Sequence, residues 1–325
     1  MSETLLEVKE LVVEFAQRKN RLRALDKVSL SLERGEILGI VGESGAGKSL
    51  TGAAIIGLLE SPGFIASGSI HLNGERIDKL PAEAMRRIRG RKIGMVFQDP
   101  LTSLNPILTI ADQLIETIQT HLGGSKAQAR ARAIALLDEV GIPAAARRID
   151  DYPHQFSGGM RQRVVIALAL AGEPDLIIAD EPTTALDVSV QAQIIDVLKR
   201  ACKEHGAAVM LVTHDMGVIA ETADRVAVMY AGRVVEVGTV QQVIKQPRHP
   251  YTQGLMGSIP SLTDRVERLV QIPGSMPRLD AIPSGCAFHP RCTQLTERCH
   301  TQRPELIPLA QGEAACWLHA DEITQ

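Results

Sequence analysis

The sequence is poor in aromatic side chains. Of its 325 residues 3% are aromatic, with one tryptophan and three tyrosines, although 45% are hydrophobic. A core of that composition must be packed mainly by alanine, valine, isoleucine and leucine. Long apolar runs are missing as well, since none approaches the roughly 18–20 residues that a membrane-spanning helix needs. A chain of this length can still bury one large domain and carry an appendage.

The sequence also has no large excess of positive or of negative side chains. The net charge is −3, and basic and acidic residues are interspersed, so no overall field favours nucleic acid as a partner. Residues 1–15 alternate polar and apolar side chains as a strand does, without the basic segment and apolar run of a signal peptide. We therefore expect the cytoplasm as the compartment.

Cysteines are few and unevenly placed. Cys202 stands alone, and the other four fall between residues 286 and 316. In a reducing compartment such a group favours a metal over disulfides, with free thiols in a surface lobe as the alternative. Cys202 lies on a predicted helix, where we expect it to pack.

The hydrophobic pattern changes along the chain. Residues 1–98 are strand-rich, 105–155 are helical, and 157–240 alternate helices with short apolar strands. This order predicts an α/β domain over residues 1–245 with a mostly parallel sheet, interrupted by a helical subdomain at about 105–172. Residues 246–325 are rich in proline and predict a loop-rich C-terminal lobe.

Local signals fix some boundaries. Asn73-Gly74 after an alternating run predicts a hairpin turn. Ser125 is a suitable N-cap for a helix that should stop at Gly141.

A glycine-rich loop follows the apolar strand that ends at Val41. Its glycines let backbone N–H groups converge on phosphate oxygens, and a helix N-terminus adds a favourable dipole. The pattern predicts that Lys48 reaches the β- and γ-phosphates of ATP and that the Ser49 hydroxyl ligates Mg²⁺. The alternative, a turn that binds nothing, is disfavoured by the strand–loop–helix context. The predicted nucleotide-binding residues of the loop are Gly42, Glu43, Ser44, Gly45, Ala46, Gly47, Lys48, Ser49 and Leu50.

Two carboxylates end a second apolar strand, Leu176–Ala179. A buried strand that delivers Asp180 at its C-terminal end places it near the Mg²⁺ shell. Glu181 can then act as the general base that polarises the attacking water. A strand ending in Asp-Glu is common, and it is the phosphate loop in the same chain that favours catalysis.

Ser157, Gly158 and Gly159 begin a predicted helix and form a second anion-binding end. One nucleotide does not need two such ends in one chain. A face-to-face dimer, in which the loop of one subunit completes the site of the other, resolves this. The alternative is that Ser157 only caps its helix.

In order along the chain, these motifs resemble the nucleotide-binding domain of ABC transporters over residues 5 to about 240. Gln98 after a strand, Ala185-Leu186-Asp187 and His214 after a strand belong to the same resemblance. It implies an α/β P-loop ABC ATPase fold with an antiparallel β subdomain and a helical subdomain, which joins the Cys-containing C-terminal lobe.

The resemblance also implies individual roles. Gln98 ligates Mg²⁺ with Ser49 and Asp180, senses the attacking water and couples the site to membrane subunits. His214 contacts the γ-phosphate, and Asp187 lies in the loop that links the two sites of a dimer. Phe15 is the candidate for stacking on adenine, with a place in the core as the alternative. Met160 departs from the family, in which glutamine often follows the two glycines.

The tail refines the resemblance. Arg248-His249-Pro250-Tyr251 is similar to the C-terminal signature of the oligopeptide/dipeptide branch, which includes nickel importers. For His249 and Tyr251 a packing turn is favoured over contact with cargo. Importers of this branch can hold a [4Fe–4S] cluster on a similar cysteine pattern, with zinc and free thiols as alternatives. The cysteines concerned are Cys286, Cys292, Cys299 and Cys316.

The predicted function is an ATP-hydrolysing motor subunit of an importer for di- or oligopeptides, with nickel or another small solute as the alternative cargo. The partners implied are two transmembrane permease subunits, a second identical or homologous ATP-binding subunit and, indirectly, an extracytoplasmic solute-binding protein. The implied location is peripheral, on the cytoplasmic face of the bacterial inner membrane. A soluble ABC ATPase of DNA or ribosomes is disfavoured, because the chain has one such domain, no long coiled coil and no basic arm.

Overall fold

The computed structural model describes residues 3–18, 20–184, 186–258 and 271–324. The chain folds into two compact units that interleave along the sequence. The first unit comprises Met1–Leu5, Leu32–Ile37 and Lys79–Val212. The second unit comprises Leu6–Ser31, Leu38–Asp78 and Thr213–Gln325.

Strands and short or medium helices alternate over most of the chain. The strands are β1 (Thr4–Ala16), β2 (Arg21–Glu33), β3 (Ile37–Val41), β4 (Gly63–Leu72), β5 (Glu75–Arg76), β6 (Ile93–Val96), β7 (Leu176–Asp180), β8 (Ala208–Val212), β9 (Arg225–Tyr230), β10 (Arg233–Thr239), β11 (Ile307–Pro308) and β12 (Glu313–Ala314). The α-helices are α1 (Lys48–Ile55), α2 (Ala82–Ile88), α3 (Pro100–Ser103), α4 (Ile110–Leu122), α5 (Lys126–Glu139), α6 (Ala145–Arg148), α7 (Gly158–Leu170), α8 (Val188–His205), α9 (Met216–Thr222), α10 (Val240–Lys245), α11 (Pro250–Gly257) and α12 (Arg298–Thr301). Three 3₁₀-helices cover Pro153–Gln155, His289–Arg291 and Trp317–Thr324.

The first unit is built on three parallel strands. β7 pairs with β6 on one side and with β8 on the other, and both β7 and β8 are buried along their whole length. Continuous apolar strands of this kind are typical of parallel sheets covered on both faces. Helices α4, α5 and α7 pack against one another, which agrees with the helical insertion expected from the sequence.

Helix α5 begins as its sequence predicts. The Ser125 hydroxyl accepts from the backbone N–H of Gln128, and the Gln128 side chain accepts from the Ser125 backbone N–H. This capping box satisfies two backbone donors of the first turn. The helix ends at Glu139, two residues before Gly141, which takes a φ of 75°.

The second unit holds two sets of strands. One is the four-stranded sheet β2–β1–β4–β5, in which β4 runs antiparallel to β1 and β5. The predicted hairpin turn joins β4 to β5, with φ of 51° at Asn73 and 77° at Gly74. In the other set β3 runs parallel to β9, and β10 runs antiparallel to β9 and β12.

The core is mainly aliphatic, as the composition requires, and the aromatic residues buried in its described part are Phe156, Tyr230, Tyr251 and Phe288. Tyr230 and Tyr251 are the largest fully buried side chains, and both lie in the second unit. Within the described ranges, no helix is long and apolar enough to cross a membrane. The predicted boundary near residue 245 and the predicted C-terminal lobe over residues 246–325 stay predictions.

Candidate functional site

The phosphate loop of the second unit lies between β3 and α1. Gly42 has a φ of 151°, and a Cβ there would lie 2.3 Å from the carbonyl oxygen of Met229. Gly47 has a φ of 103°, and a Cβ there would lie 2.7 Å from Leu25 Cδ2. Both positions therefore require glycine, for backbone conformation and for space.

Lys48 is folded back over its own loop. Its side chain is 6% exposed, and Nζ donates to the carbonyl oxygens of Gly42 at 2.8 Å and Glu43 at 3.1 Å. The ammonium therefore lies against the carbonyl oxygens at the start of the phosphate loop. Ser49 and Leu50 follow in the first turn of α1, as the sequence predicts, and Ser49 is exposed. Ser44 and Gly45 are exposed at the tip of the loop, while Ala46 is buried.

The carboxylates of the first unit lie at the end of β7. Asp180 is its last residue and is 8% exposed. Glu181 follows in a left-handed conformation with a φ of 46°, and its backbone N–H donates to Val212 O at 2.8 Å. Such a conformation costs free energy in a non-glycine residue and is often found at functional sites.

The Glu181 carboxylate is oriented by two donors. Gln98 Nε2 donates to Glu181 Oε2 at 3.1 Å, and Thr184 Oγ1 donates to the same oxygen at 2.9 Å. The sequence identified Gln98 and Glu181 but not Thr184, whose only signal was a hydroxyl three residues after the glutamate. The three side chains meet although Gln98 lies 83 residues away in sequence.

Helix α7 begins at the Ser157-Gly158-Gly159 motif. The Ser157 hydroxyl accepts from the Met160 backbone N–H at 3.4 Å, so Ser157 does cap its helix. Ser157 and Gly158 are exposed, which leaves the motif accessible to a ligand. A Cβ at Gly159 would lie 2.7 Å from Val190 Cγ1, so this glycine allows close approach of α8.

Met160 and Asp187 have identifiable contacts. Arg148 Nη1 donates to Met160 Sδ at 3.5 Å, so the thioether that replaces the family's glutamine accepts from a guanidinium. Asp187 caps α8, because its carboxylate accepts from the Val190 backbone N–H at 2.9 Å. Its neighbour in the predicted motif, Ala185, lies outside the described residues.

His214 and Phe15 both belong to the second unit. His214 is exposed directly after Thr213, and Asp215 caps α9 with hydrogen bonds from two backbone N–H groups at 2.8 and 3.2 Å. Phe15 is half-buried on β1, opposite Gly63 of β4, and is not a core residue.

The His-Pro-Tyr motif builds the start of α11. His249 Nδ1 accepts from the backbone N–H of Tyr251 at 3.0 Å. The buried carboxylate of Glu236 accepts from the backbone N–H groups of Arg248 and His249 at 2.8 Å each. Burial, with a smaller contribution from His319, lowers the pKa of His249 to about 3, so the imidazole is neutral. The motif is therefore a packing turn.

The four tail cysteines do not form a site for one ion. No group of three or more histidine, cysteine, aspartate or glutamate residues in the described part of the chain could hold a metal ion. The structure therefore gives no support to the [4Fe–4S] cluster or to the zinc alternative, and both stay predictions. The thiols nevertheless interact with one another. Burial raises the pKa of Cys286, of Cys292 and, to about 11, of Cys316, and Cys299 raises the pKa of each of them further.

Polar groups surround two of these sulfur atoms. The backbone N–H of Gln294 donates to Cys292 Sγ at 3.4 Å, and Thr296 Oγ1 lies 3.2 Å from Cys299 Sγ. The backbone N–H of Cys286 donates to Cys299 O at 2.9 Å, which links these two cysteines through their backbones.

Comparisons with known proteins agree with this geometry. Residues 25–184 match the family model described as ABC transporter, and residues 235–299 match the oligopeptide/dipeptide transporter C-terminal region. The dipeptide transport ATP-binding protein DppD of Escherichia coli is 46% identical, with 98% of each chain covered. The oligopeptide transport ATP-binding protein AppD of Bacillus subtilis is 45% identical, again with 98% of each chain covered.

Solved structures show the same fold. A dimeric ATP-binding cassette in a post-hydrolysis state with ADP and Pi superposes with a TM-score of 0.66 and 31% identity, covering 73% of this chain and 99% of that one. CbiO1 from Clostridium perfringens, part of an ABC transporter complex, superposes with a TM-score of 0.65 and 29% identity, covering 75% of this chain and 92% of that one.

A phosphate loop, an oriented glutamate and a capped serine-glycine helix start define an ABC-type ATPase. The chain belongs to the ATP-binding proteins of ABC transporters, in the oligopeptide/dipeptide transporter group. It is an ATP-hydrolysing enzyme.

Proposed function

We propose that this chain is the motor of an importer for di- or oligopeptides. The proposal is supported by the C-terminal region at residues 235–299 and by relatives named as dipeptide and oligopeptide transport ATP-binding proteins. In this role it binds peripherally to the cytoplasmic face of the membrane. Its partners there are two permease subunits and a second ATP-binding subunit, and a solute-binding protein acts indirectly from the other side.

Nucleotide binding is assigned to the phosphate loop. Lys48 leaves the carbonyl oxygens of Gly42 and Glu43 and reaches the β- and γ-phosphates of ATP. Ser49 supplies one oxygen to Mg²⁺, and Asp180 and Gln98 supply others; hydroxyl, carboxylate and amide oxygens suit this hard cation. The ring of Phe15 stacks on adenine.

Hydrolysis is assigned to Glu181, and the two hydrogen bonds to its carboxylate are the observation that carries the proposal. These donors fix the orientation of the carboxylate that is to accept a proton from the attacking water. Gln98 reports the state of this site to the permease subunits, and His214 contacts the γ-phosphate.

Closure of the dimer of ATP-binding subunits supplies the motion that powers transport. The exposed Ser157-Gly158-Gly159 start of α7 binds the nucleotide of the facing subunit, and Asp187 links the two sites. ATP binds the closed dimer more tightly than the open one, so binding closes it and hydrolysis reopens it.

Replacement of the base tests this assignment. In the whole transporter in proteoliposomes, Glu181→Gln should lower the ATPase rate by about 100-fold or more and abolish peptide uptake, because no carboxylate takes the proton. The ATP-bound variant should run as a trapped dimer of ATPase subunits in size-exclusion chromatography. The control Glu204→Gln changes an exposed carboxylate on α8 and should match wild type. An ATPase rate equal to wild type in Glu181→Gln would refute the assignment of Glu181 as the general base. Uptake of nickel instead of peptide would refute the proposed cargo.

We further propose that the four tail thiols bind a [4Fe–4S] cluster with a structural role. The support is that the four thiols lie close enough to influence one another's pKa, and that residues 235–299 match the oligopeptide/dipeptide transporter C-terminal region. Bound there, the cluster would cross-link a loop-rich lobe and so stabilise it.

Metal analysis after anaerobic purification tests the cluster. We expect about four iron and four sulfide per chain, lost in Cys286→Ser and retained in the control Cys202→Ser, since Cys202 is buried on α8. Zinc alone or no metal would refute the cluster and leave the ATPase assignment intact.

A further inference from the structure

Arg291 of the second unit binds a residue of the phosphate loop. It belongs to residues 286–299, which contain three of the tail cysteines and which we call the cysteine segment. Its Nη1 donates to Glu43 Oε2 at 2.6 Å and its Nη2 to Glu43 Oε1 at 3.0 Å. Its Nε donates to Pro273 O at 2.7 Å. The Arg291 side chain is 5% exposed and that of Glu43 is 31% exposed, so the guanidinium is buried and the carboxylate is half-buried. Such a pair fixes geometry as well as neutralising charge.

The same loop residue has a second partner in the tail. The backbone N–H of Glu43 donates to Tyr251 Oη at 2.8 Å. The carbonyl of Glu43 accepts from Lys48, so one residue connects the tail with the lysine that is assigned to the phosphates. We call the group Glu43, Tyr251 and Arg291 the clasp.

Aromatic rings hold the clasp in place. The centroids of Tyr230 and Tyr251 are 4.7 Å apart, and Phe288 lies 5.2 Å from Tyr230 and 5.4 Å from Tyr251. The Arg291 guanidinium carbon lies 5.9 Å from the ring centroids of both Tyr230 and Phe288. In a chain with three tyrosines, two of them are placed here. Packed rings leave the guanidinium little freedom to move independently of the cysteine segment.

The clasp is also tied to the thiols. His289–Arg291 is a 3₁₀-helix between Cys286 and Cys292. The backbone N–H of His289 donates to Cys286 O at 3.0 Å, and that of Cys292 donates to His289 O at 3.2 Å. A displacement of either cysteine therefore displaces Arg291.

We propose that Arg291 is a positioning residue that couples the cysteine segment to ATP affinity through Glu43. The inference rests on the proposed role of the phosphate loop. Arg291 neutralises a carboxylate that otherwise repels the triphosphate, and it fixes the loop from which Lys48 acts. Coupling of this kind is reciprocal, so ATP must also stabilise the cysteine segment.

Nucleotide affinity is the first test. For Arg291→Gln in the full-length chain we expect the Kd for a non-hydrolysable ATP analogue with Mg²⁺ to rise about tenfold, and KM to rise with it while kcat changes little. The double variant Glu43→Gln/Arg291→Gln should recover most of the loss, because the uncompensated carboxylate is then gone. The control Arg298→Gln removes an arginine of the same segment that stacks over Trp317 instead and should bind as wild type.

Hydrogen exchange is the second test, and it does not depend on the folding of an Arg291 variant. The analogue should slow backbone exchange over residues 286–299 in wild type, and this slowing should be lost in Glu43→Gln. The proposed coupling through the clasp would be overturned by two results together. These are an unchanged Kd for the ATP analogue in Arg291→Gln and, in wild type, hydrogen exchange over residues 286–299 that the analogue does not slow. Retained binding by Lys48→Ala would instead overturn the proposed phosphate loop.

Discussion

At the scale of single residues, burial has fixed the charge state of His249. Its imidazole accepts a backbone hydrogen bond in the interior of the second unit, beside the buried Glu236. Burial raises the pKa of Glu236, and it lowers that of His249 to about 3. The sequence favoured a packing turn for His249 but did not predict its charge state, because the depth of burial is set by residues distant along the chain.

The neutral imidazole predicts a loss of stability in acid. Unfolded chains bind a proton at histidine near pH 6.5, and folded His249 binds none until about pH 3, so stability falls as the pH drops between these values. Between pH 7.5 and 5.5, protonation of this histidine in the unfolded chain lowers the free energy of unfolding by about 1.4 kcal/mol. His249→Asn keeps a capping side chain without titrating and should show a correspondingly weaker pH dependence in urea unfolding. The exposed His154→Asn is the control, and equal pH dependence in wild type and His249→Asn would contradict the prediction.

At the scale of helices and strands, local sequence was a good guide. The capping serine, the glycine after α5 and the hairpin at Asn73-Gly74 are all confirmed, because each depends on neighbours within a few residues. The short 3₁₀-helices and two-residue strands of the tail were not predicted. Their form depends on contacts such as β12 with β10, where Ala314 pairs with Glu236, and such contacts leave no local periodicity.

The capping box of α5 gives the prediction at this scale. Ser125→Ala removes the acceptor for the Gln128 N–H and should lower the free energy of unfolding by about 1 kcal/mol, read from the urea midpoint. Ser189→Ala, at an exposed position within α8, should change it by less than about 0.5 kcal/mol. Equal losses in both variants would show that the cap contributes nothing specific.

At the scale of the whole molecule, the motifs predicted the fold class and the ATPase chemistry, and the comparisons confirm both. The contacts that orient the motifs could not be predicted in the same way. The contacts of Gln98 with Glu181 and of Arg291 with Glu43 are set by tertiary packing, whereas a glycine-rich loop has its own spacing in the sequence. The interleaving of the two units has the same origin, since β3 pairs with β9 far along the chain.

The pair between Glu43 and Arg291 also has a consequence for synthesis on the ribosome. The two residues are 248 positions apart, so at about 5–20 residues per second the loop emerges about 12 s or more before its partner. Until Tyr251 emerges, 208 positions after Glu43, the nascent phosphate loop has neither its tyrosine nor its arginine. A nucleotide or chaperone that meets the growing chain therefore meets a looser loop than the one in the finished protein.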